Sequence, residues 1–245
     1  MRNLWTIAKK EFESFFHSAI AYVIGVVIFL SLGIYFYILL SYGVRYQSYV
    51  PEITLLLDWI LFPLFFISVP VLAMRTISDE NRTGTLEIIM TAPVKDWELI
   101  VGKWLGTYLF FLSILALSWI YPFVLNLMVD PGIDQTMLIA AYFGVSLVTA
   151  AMTAIGIFVS SIFKNPIPAL LATLGLMILF WIISAPANYT SGFVSNLLDY
   201  LSMTGHYYSS FYRGIIDLKD AIYYITLTIF ALFLGTRVIE ARRWK

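Results

Sequence analysis

Few side chains in this sequence could perform chemistry, and their positions along the chain do not place them together in one predicted site. The 245 residues include two histidines and no cysteine, which excludes disulfides, thiolate catalysis and sulfur-ligated metals. His17 and His206 fall on opposite sides of the predicted spans, so we expect no two-histidine metal site. Gly144 and Ser146 lie in an apolar stretch, but the full nucleophile-elbow pattern is missing and no histidine is predicted at that depth. We interpret this stretch as a packing face of small residues.

The fifteen acidic residues show no arrangement for ion coupling. None lies deep in a predicted span, and Asp58 and Glu240 are near span ends. Ion-coupled transporters usually hold ionisable groups at mid-membrane, which disfavours that class, although backbone carbonyls can also bind sodium. The phosphate-binding pattern GxxxxGK[ST] is absent, so ATP could drive this protein only through another chain. Two alternatives stay open: a secondary transporter or channel, and an intramembrane enzyme that uses Ser146 or His206.

The composition is that of an integral membrane protein. Hydrophobic residues make up 60% of the chain and charged residues 12%, and the mean hydropathy is +0.85. A soluble domain carries roughly 25% charged residues. The formal net charge is zero and no long basic cluster occurs, so we expect no nucleic-acid partner.

Six apolar stretches predict an all-α membrane protein that forms a single domain over residues 1–245. Pro63 and Pro70 fall in the second span and Pro122 in the third, where each removes a backbone donor and kinks the helix. Lipid tolerates such kinks when neighbouring protein satisfies the freed carbonyl, so we expect span two to face protein. Gly102 and Gly106 have GxxxG spacing, which as a single example is a weak signal of close packing. The predicted spans are 19–40, 55–74, 99–128, 137–163, 168–185 and 221–238.

Lysines and arginines indicate the orientation, because short cytoplasmic loops carry an excess of them. Twelve fall on the side of the N-terminus, whereas Arg45, Arg213 and Lys219 fall on the other side. Both termini are therefore expected in the cytoplasm, with the protein in the inner membrane. The first residues lack the pattern of a secretory signal, so we expect no cleavage there. The inner set is Arg2, Lys9, Lys10, Arg75, Arg82, Lys95, Lys103, Lys164, Arg237, Arg242, Arg243 and Lys245.

Two segments outside the spans carry amphipathic patterns. Residues 3–17 are expected to form an elbow helix that lies in the membrane surface before span one. Its apolar face is Leu4, Ile7, Ala8, Phe12, Phe15 and Phe16. Residues 188–220 are expected to form an extracellular hairpin, because Phe193, Leu197, Leu198 and Leu201 make a helical stripe and an aromatic-rich stretch follows.

Residues 76–98 form a charged loop between spans two and three. Gly84 permits a sharp turn into a short helix from Thr85 to about Met90, which Pro93 helps to end. Leu86, Ile89 and Met90 cluster on one side of that helix, and exposed apolar side chains predict a partner. Asp96 is expected to cap the next helix, and Glu98 suits its first turn.

The segment "ENRTGTLEIIMTAPVKDWELIVGKW" resembles the coupling-helix signature of permease subunits of type-2 ATP-binding-cassette (ABC) exporters. The tail "HYYSSFYRGIIDLKDAIYYITLTIFALFLGTRVIEARRW" is similar to the gliding-motility-associated and nitrous-oxide-reductase-maturation branch of these permeases. Together with the order of the elements, the resemblance covers essentially the whole chain.

The resemblance implies how the protein works. The chain itself would bind no cofactor, since two copies of a cytoplasmic ATPase subunit would bind ATP and magnesium. Two permeases, identical or related, would form the pathway, lined by spans one, two and five, with the outer hairpin at the exit and an external accessory protein as a further possible partner. Glu87 would make a polar contact to the ATPase, with Leu86 and Ile89 as apolar anchors. The implied ATPase-coupling interface is Gly84, Thr85, Leu86, Glu87, Ile88, Ile89, Thr91 and Pro93.

Overall fold

The computed structural model describes residues 2–46, 56–57, 62–91, 93–130, 132–183, 185 and 192–243, and every regular element in them is helical. The first six α-helices are α1 (Arg2–Phe16), α2 (Ala19–Tyr46), α3 (Phe62–Thr83), α4 (Thr85–Thr91), α5 (Asp96–Ser118) and α6 (Ile120–Met128). The others are α7 (Gln135–Ile162), α8 (Pro166–Ile182), α9 (Phe193–Leu201), α10 (Met203–Ser209) and α11 (Leu218–Arg243). A 3₁₀ turn, Phe211–Arg213, precedes α11.

Within the described residues, four helical stretches are long and apolar enough to cross a membrane. They are Ala19–Gly43, Asp96–Met128, Gln135–Ile162 and Leu218–Arg243, which correspond to predicted spans one, three, four and six. The predicted fifth span corresponds to α8, a shorter apolar helix. Asp58 and the side chain of Pro63, in predicted span two, and residues 188–191 of the predicted hairpin lie outside the described part.

The helix of predicted span two continues beyond Met74, where the apolar pattern ends. α3 runs unbroken through the charged residues to Thr83. The i,i+4 pair of Arg75 and Asp79, 2.8 Å apart, supports these last turns, as opposite charges at this spacing stabilise a helix. The Thr83 hydroxyl also donates to the carbonyl of Asp79 at 2.9 Å. The end of α3 from Arg75 to Thr83 is therefore mostly polar, and we call it the polar arm of α3.

The centre of the bundle is α7, most of which is buried, whereas most of α2 is exposed. Small residues let neighbouring elements approach α7 closely. A Cβ added to Gly156 would lie 2.5 Å from the Cβ of Ala73 on α3, and one on Gly144 would lie 2.5 Å from the Cβ of Phe211. The apolar stretch around Gly144 is therefore a packing face, as its small residues predict.

A break between α5 and α6 falls at Trp119, three residues before Pro122. Proline has no N–H to donate to the carbonyl of Ser118 and its ring crowds that carbonyl, which ends the regular helix there. The Ser118 hydroxyl lies 3.0 Å from the Tyr142 hydroxyl of α7, and Tyr121 donates to the carbonyl of Phe29 on α2 at 2.9 Å. Neighbouring helices thus fix the kinked segment.

The apolar face of α1 packs against α5. Ala8 and Phe15 are buried, while Phe16 is exposed. The contact is close because α5 presents Gly102 and Gly106: added Cβ atoms there would lie 2.9 Å from the Cβ of Ile7 and 2.6 Å from the carbonyl oxygen of Ala8. We call Gly102 and Gly106, on which α1 packs, the seat of α1. The position of α1 in the membrane surface stays a prediction.

The opposite end of the bundle carries α9, α10 and the 3₁₀ turn. Phe211 of the turn is buried against α7. None of the residues of α9 is buried, and Phe193 is 80% exposed, so the apolar stripe of this helix is presented outward.

Candidate functional site

A glycine turn sets the direction of α4. Gly84 has φ +74°, in the left-handed region that favours glycine, and its N–H donates to the carbonyl of Asn81 at 3.4 Å. The hydroxyls of Thr83 and Thr85 lie 3.0 Å apart, and Thr85 also donates to the carbonyl of Glu80 at 3.3 Å. α4 extends to Thr91, one residue beyond the predicted end.

The side chains of α4 divide into an inner and an outer face. Leu86 is only 3% exposed and belongs to the core, so the prediction that its side chain is exposed is wrong. Ile89 and Met90 pack partly against the same core, whereas Ile88 is 70% exposed. With about 100° of rotation per residue, an inward Leu86 turns Ile88 outward. The outer face consists of Thr85, Glu87, Ile88 and Thr91, which Pro93 extends.

The start of α5 is tied to the end of α11. The N-cap is Lys95, whose backbone N–H donates to the Glu98 carboxylate at 3.2 Å. Asp96 is the first helical residue and therefore does not cap the helix as predicted. Its carboxylate instead lies 2.7 Å from Nη2 of Arg243, because the last turn of α11 ends beside it. The same nitrogen lies 3.5 Å from the carbonyl of Val94.

A buried lysine joins three helices directly behind the α3–α4 turn. Lys103 of α5 is 3% exposed. Its Nζ lies 3.1 Å from Glu11 of α1, 2.8 Å from Glu80 of α3 and 2.7 Å from the carbonyl oxygen of Thr76. We call Lys103, Glu11 and Glu80 the Lys103 cluster. A buried charge is tolerated when it is paired and hydrogen-bonded, and here three oxygens surround the ammonium.

The sequence reading placed Lys103 only among the inner basic residues. A signal was present, since Lys103 is a lone cation inside the helical run "IVGKWLGTYL". Charges in an apolar helix usually face protein and mark function.

The C-terminal end of α7 is bonded to the polar arm of α3. The Ser160 hydroxyl donates to the carbonyl of Met74 at 2.7 Å and accepts from the N–H groups of Ile77 at 3.2 Å and Ser78 at 3.0 Å. Asn81 donates to the carbonyl of Phe163 at 3.3 Å. The arm that carries α4 is thus hydrogen-bonded along its length to the centre of the bundle.

The other candidate residues lie apart from this segment. Ser146 donates to the carbonyl of Phe143 in its own helix at 2.8 Å. His206 contacts the carboxylate of Asp220 through Nδ1 at 2.6 Å and the carbonyl of Tyr200 through Nε2 at 2.9 Å. The described contacts of Ser146 and His206 do not join them, and His17 is exposed between α1 and α2.

One family of known proteins matches most of the chain. The family described as "ABC-2 family transporter protein" matches residues 5–240, which include α4, the Lys103 cluster and the long apolar helices except for the last three residues of α11. No curated protein matches the chain. The apolar helices and the family together support a multi-pass membrane protein, and a permease of this family implies an ABC ATPase as partner. The chain therefore belongs to the ABC-2 family of transporter proteins.

Proposed function

We propose that this chain is the transmembrane permease subunit of an ATP-driven exporter, and that α4 is the helix through which the ATPase moves it. The observation that carries the proposal is the outer face of α4. Ile88 is 70% exposed beside the exposed Glu87, while Leu86 fixes the same helix to the core. An exposed apolar side chain rimmed by polar groups suits a protein interface.

The membrane arrangement that we propose has six spans, formed by α2, α3, α5 with α6, α7, α8 and α11. The excess of lysine and arginine near α4 supports cytoplasmic termini in an inner membrane. On that side ATP is available, and two ATPase subunits would bind it with magnesium. The substrate pathway would form with a second permease subunit, and the exposed apolar faces of α2 and α8 offer surface for it.

Force applied to α4 has short routes into the bundle. Leu86 packs into the core below the helix, so α4 moves with the body rather than as a loose loop. The pair of Arg243 and Asp96 passes displacement from the start of α5 to α11. The Lys103 cluster passes it from α3 to α1 and α5.

Two finer features are part of the proposal. The tail of the sequence supports a place in the gliding-motility and nitrous-oxide-reductase-maturation branch. The exposed stripe of α9 on the outer side would suit an exit gate or an accessory protein.

Co-purification with candidate ATPases tests the proposal. Ile88→Asp puts a charge into the centre of the proposed interface, and we expect it to weaken ATPase binding by at least about tenfold, as for interface hot spots. Glu87→Ala should weaken it less, because a charged pair at an interface rim contributes little. Ile215→Asp makes the same substitution at an exposed isoleucine at the other end of the molecule and is the matched control. Wild-type binding by both α4 variants would refute the coupling role.

A further inference from the structure

A cavity of about 400 Å³ lies where α2 and α8 begin, beside the polar arm of α3. We call it the α3–α8 cavity. Ile20 comes from the first turn of α2, Arg75, Asp79 and Arg82 come from α3, and residues 165–168 are the N-cap and first turn of α8. It therefore lies at the level where two apolar helices start, and in the proposed arrangement of six spans that level would be the boundary between the hydrocarbon layer and water.

The polar wall of the cavity carries a net positive charge. Arg75 Nε lies 2.8 Å from Asp79 Oδ2, and Arg82 Nη2 lies 3.5 Å from Asp79 Oδ1. Two guanidinium groups thus share a single carboxylate among the described lining residues. Each guanidinium has five N–H donors in a planar fork, so both retain donors for a phosphate. Arg75 is 41% exposed and Arg82 is 61% exposed, and a ligand can reach them.

The other walls are apolar. Ile20 is 39% exposed and Ile167 is 70% exposed, and Pro166 and Pro168 flank Ile167 on α8. These side chains would stay in contact with the start of a hydrocarbon chain, whereas a free phosphate ion gains nothing from them. An arginine pair at one end and isoleucines at the other match the two ends of a phospholipid head-group region.

Neighbouring charges favour the side of the cavity near Arg82. A smaller cavity of about 210 Å³ shares Arg75 and Asp79 with the α3–α8 cavity and is also lined by Glu11. The additional carboxylate of Glu11 makes the smaller cavity less favourable for an anion. On the α8 side the exposed Lys164 comes directly before Asn165, whose side chain makes no capping hydrogen bond. Positive charge is therefore concentrated where Arg82 and the start of α8 meet.

We propose that the α3–α8 cavity binds the head group of an anionic phospholipid. The phosphate would take donors from Arg75 and Arg82, and the glycerol end would lie against Ile20 and Ile167. Because Asp79 competes for the same two guanidinium groups, it sets the affinity of the site. Arg82 is two residues before Gly84, so a bound lipid would hold the arm next to α4. The proposal needs only a membrane boundary at α2 and α8, and it is independent of ATPase coupling.

Native mass spectrometry of the full chain tests the proposal, with phosphatidylglycerol and phosphatidylcholine offered in equal amounts. We expect the wild type to retain phosphatidylglycerol preferentially. Arg75→Gln and Arg82→Gln should each weaken its retention about fivefold, which corresponds to about 1 kcal/mol per cation near a lipid surface. Arg213→Gln, at the opposite end of the molecule, is the matched control and should change nothing.

A gain-of-binding variant separates a lipid site from a structural role. Asp79→Asn leaves both guanidinium groups uncompensated, so phosphatidylglycerol retention should rise even if the arm loses stability. If the pair only stabilised α3, this variant would bind no more lipid than the wild type. Equal retention by the wild type and Arg75→Gln/Arg82→Gln would overturn the proposal. Displacement of the lipid by millimolar inorganic phosphate would also overturn it, in favour of a free-anion site.

Discussion

The ammonium of Lys103 lies 2.8 Å from Glu80, and the lysine is 3% exposed while Glu80 is 24% exposed, so the cationic end of an ion pair between α5 and α3 is buried in the protein. Glu11 of α1 completes the pair from the other side. Breaking such a pair by removing one partner leaves a buried charge uncompensated, which costs far more than the loss of a surface pair.

Lys103→Met should therefore destabilise the protein by about 3–5 kcal/mol. For a chain of this size that is a fall of the melting temperature of about 6–20 °C, measured by scanning fluorimetry in mild detergent. Lys164→Met, which removes an exposed lysine, is the control and should melt like the wild type. Adding Glu11→Gln and Glu80→Gln to Lys103→Met should recover much of the loss, since no charge is then left unpaired. Equal melting of the two single variants would contradict the structural importance of the cluster.

Adjacent serines on α7 give a second comparison. Ser160 makes hydrogen bonds to Met74, Ile77 and Ser78 of α3, whereas the buried Ser161 donates to Phe158 of its own helix at 2.6 Å. Ser160→Ala removes the partner of buried polar groups and should cost about 1–3 kcal/mol. Hydrogen exchange at the backbone of Ile77 and Ser78 should become faster. Ser161→Ala should leave both properties close to wild type, and equal effects of the two changes would argue against a link between α7 and the arm.

One added methyl group in α5 is enough to disturb the close contact between α1 and α5. In Gly106→Ala the new Cβ would lie 2.6 Å from the backbone oxygen of Ala8, which cannot move without displacing α1. We expect faster hydrogen exchange throughout residues 2–16. Gly175→Ala is the control, because its Cβ would meet nothing within 4 Å and alanine suits a helix better than glycine by up to about 1 kcal/mol. Unchanged exchange in Gly106→Ala would mean that α1 does not depend on this contact.

The turn before α4 depends on backbone conformation rather than on space. An added Cβ at Gly84 would meet nothing within 4 Å, but φ is +74°. Gly84→Ala should cost about 1–2 kcal/mol from the left-handed conformation alone, and Gly84→Asn should cost less. The cost should appear locally, as faster exchange in residues 85–91. Gly25→Ala, in open space on α2 and without a positive φ, is the control, and equal stability of Gly84→Ala and Gly84→Asn would contradict the argument.

Sequence reasoning reaches those features that depend on local signals. A helix that spans lipid needs a long apolar run, so the main spans could be predicted from the sequence. Gly84 and Pro93 likewise predicted the two ends of α4 to within a residue. The sequence grouped Leu86, Ile89 and Met90 on one side of α4, but it did not show that this side faces the core. Ile88 adds an apolar group on the other side, so the pattern of a seven-residue helix cannot tell the inner face from the outer one. The Lys103 cluster was equally out of reach, since Glu11 and Lys103 are 92 residues apart and only tertiary packing brings them together.

The seat of α1 on Gly102 and Gly106 has a consequence for how the protein is made. α1 precedes α2, α3 and α4 in the chain, and the glycines on which it rests are synthesised only after them. During that interval α5 is not yet present to cover the apolar face of α1, and an amphipathic helix can bind a bilayer surface instead. We therefore expect the amphipathic pattern to act twice: the nascent helix would lie on the membrane surface until α5 is inserted, and it would then pack against α5.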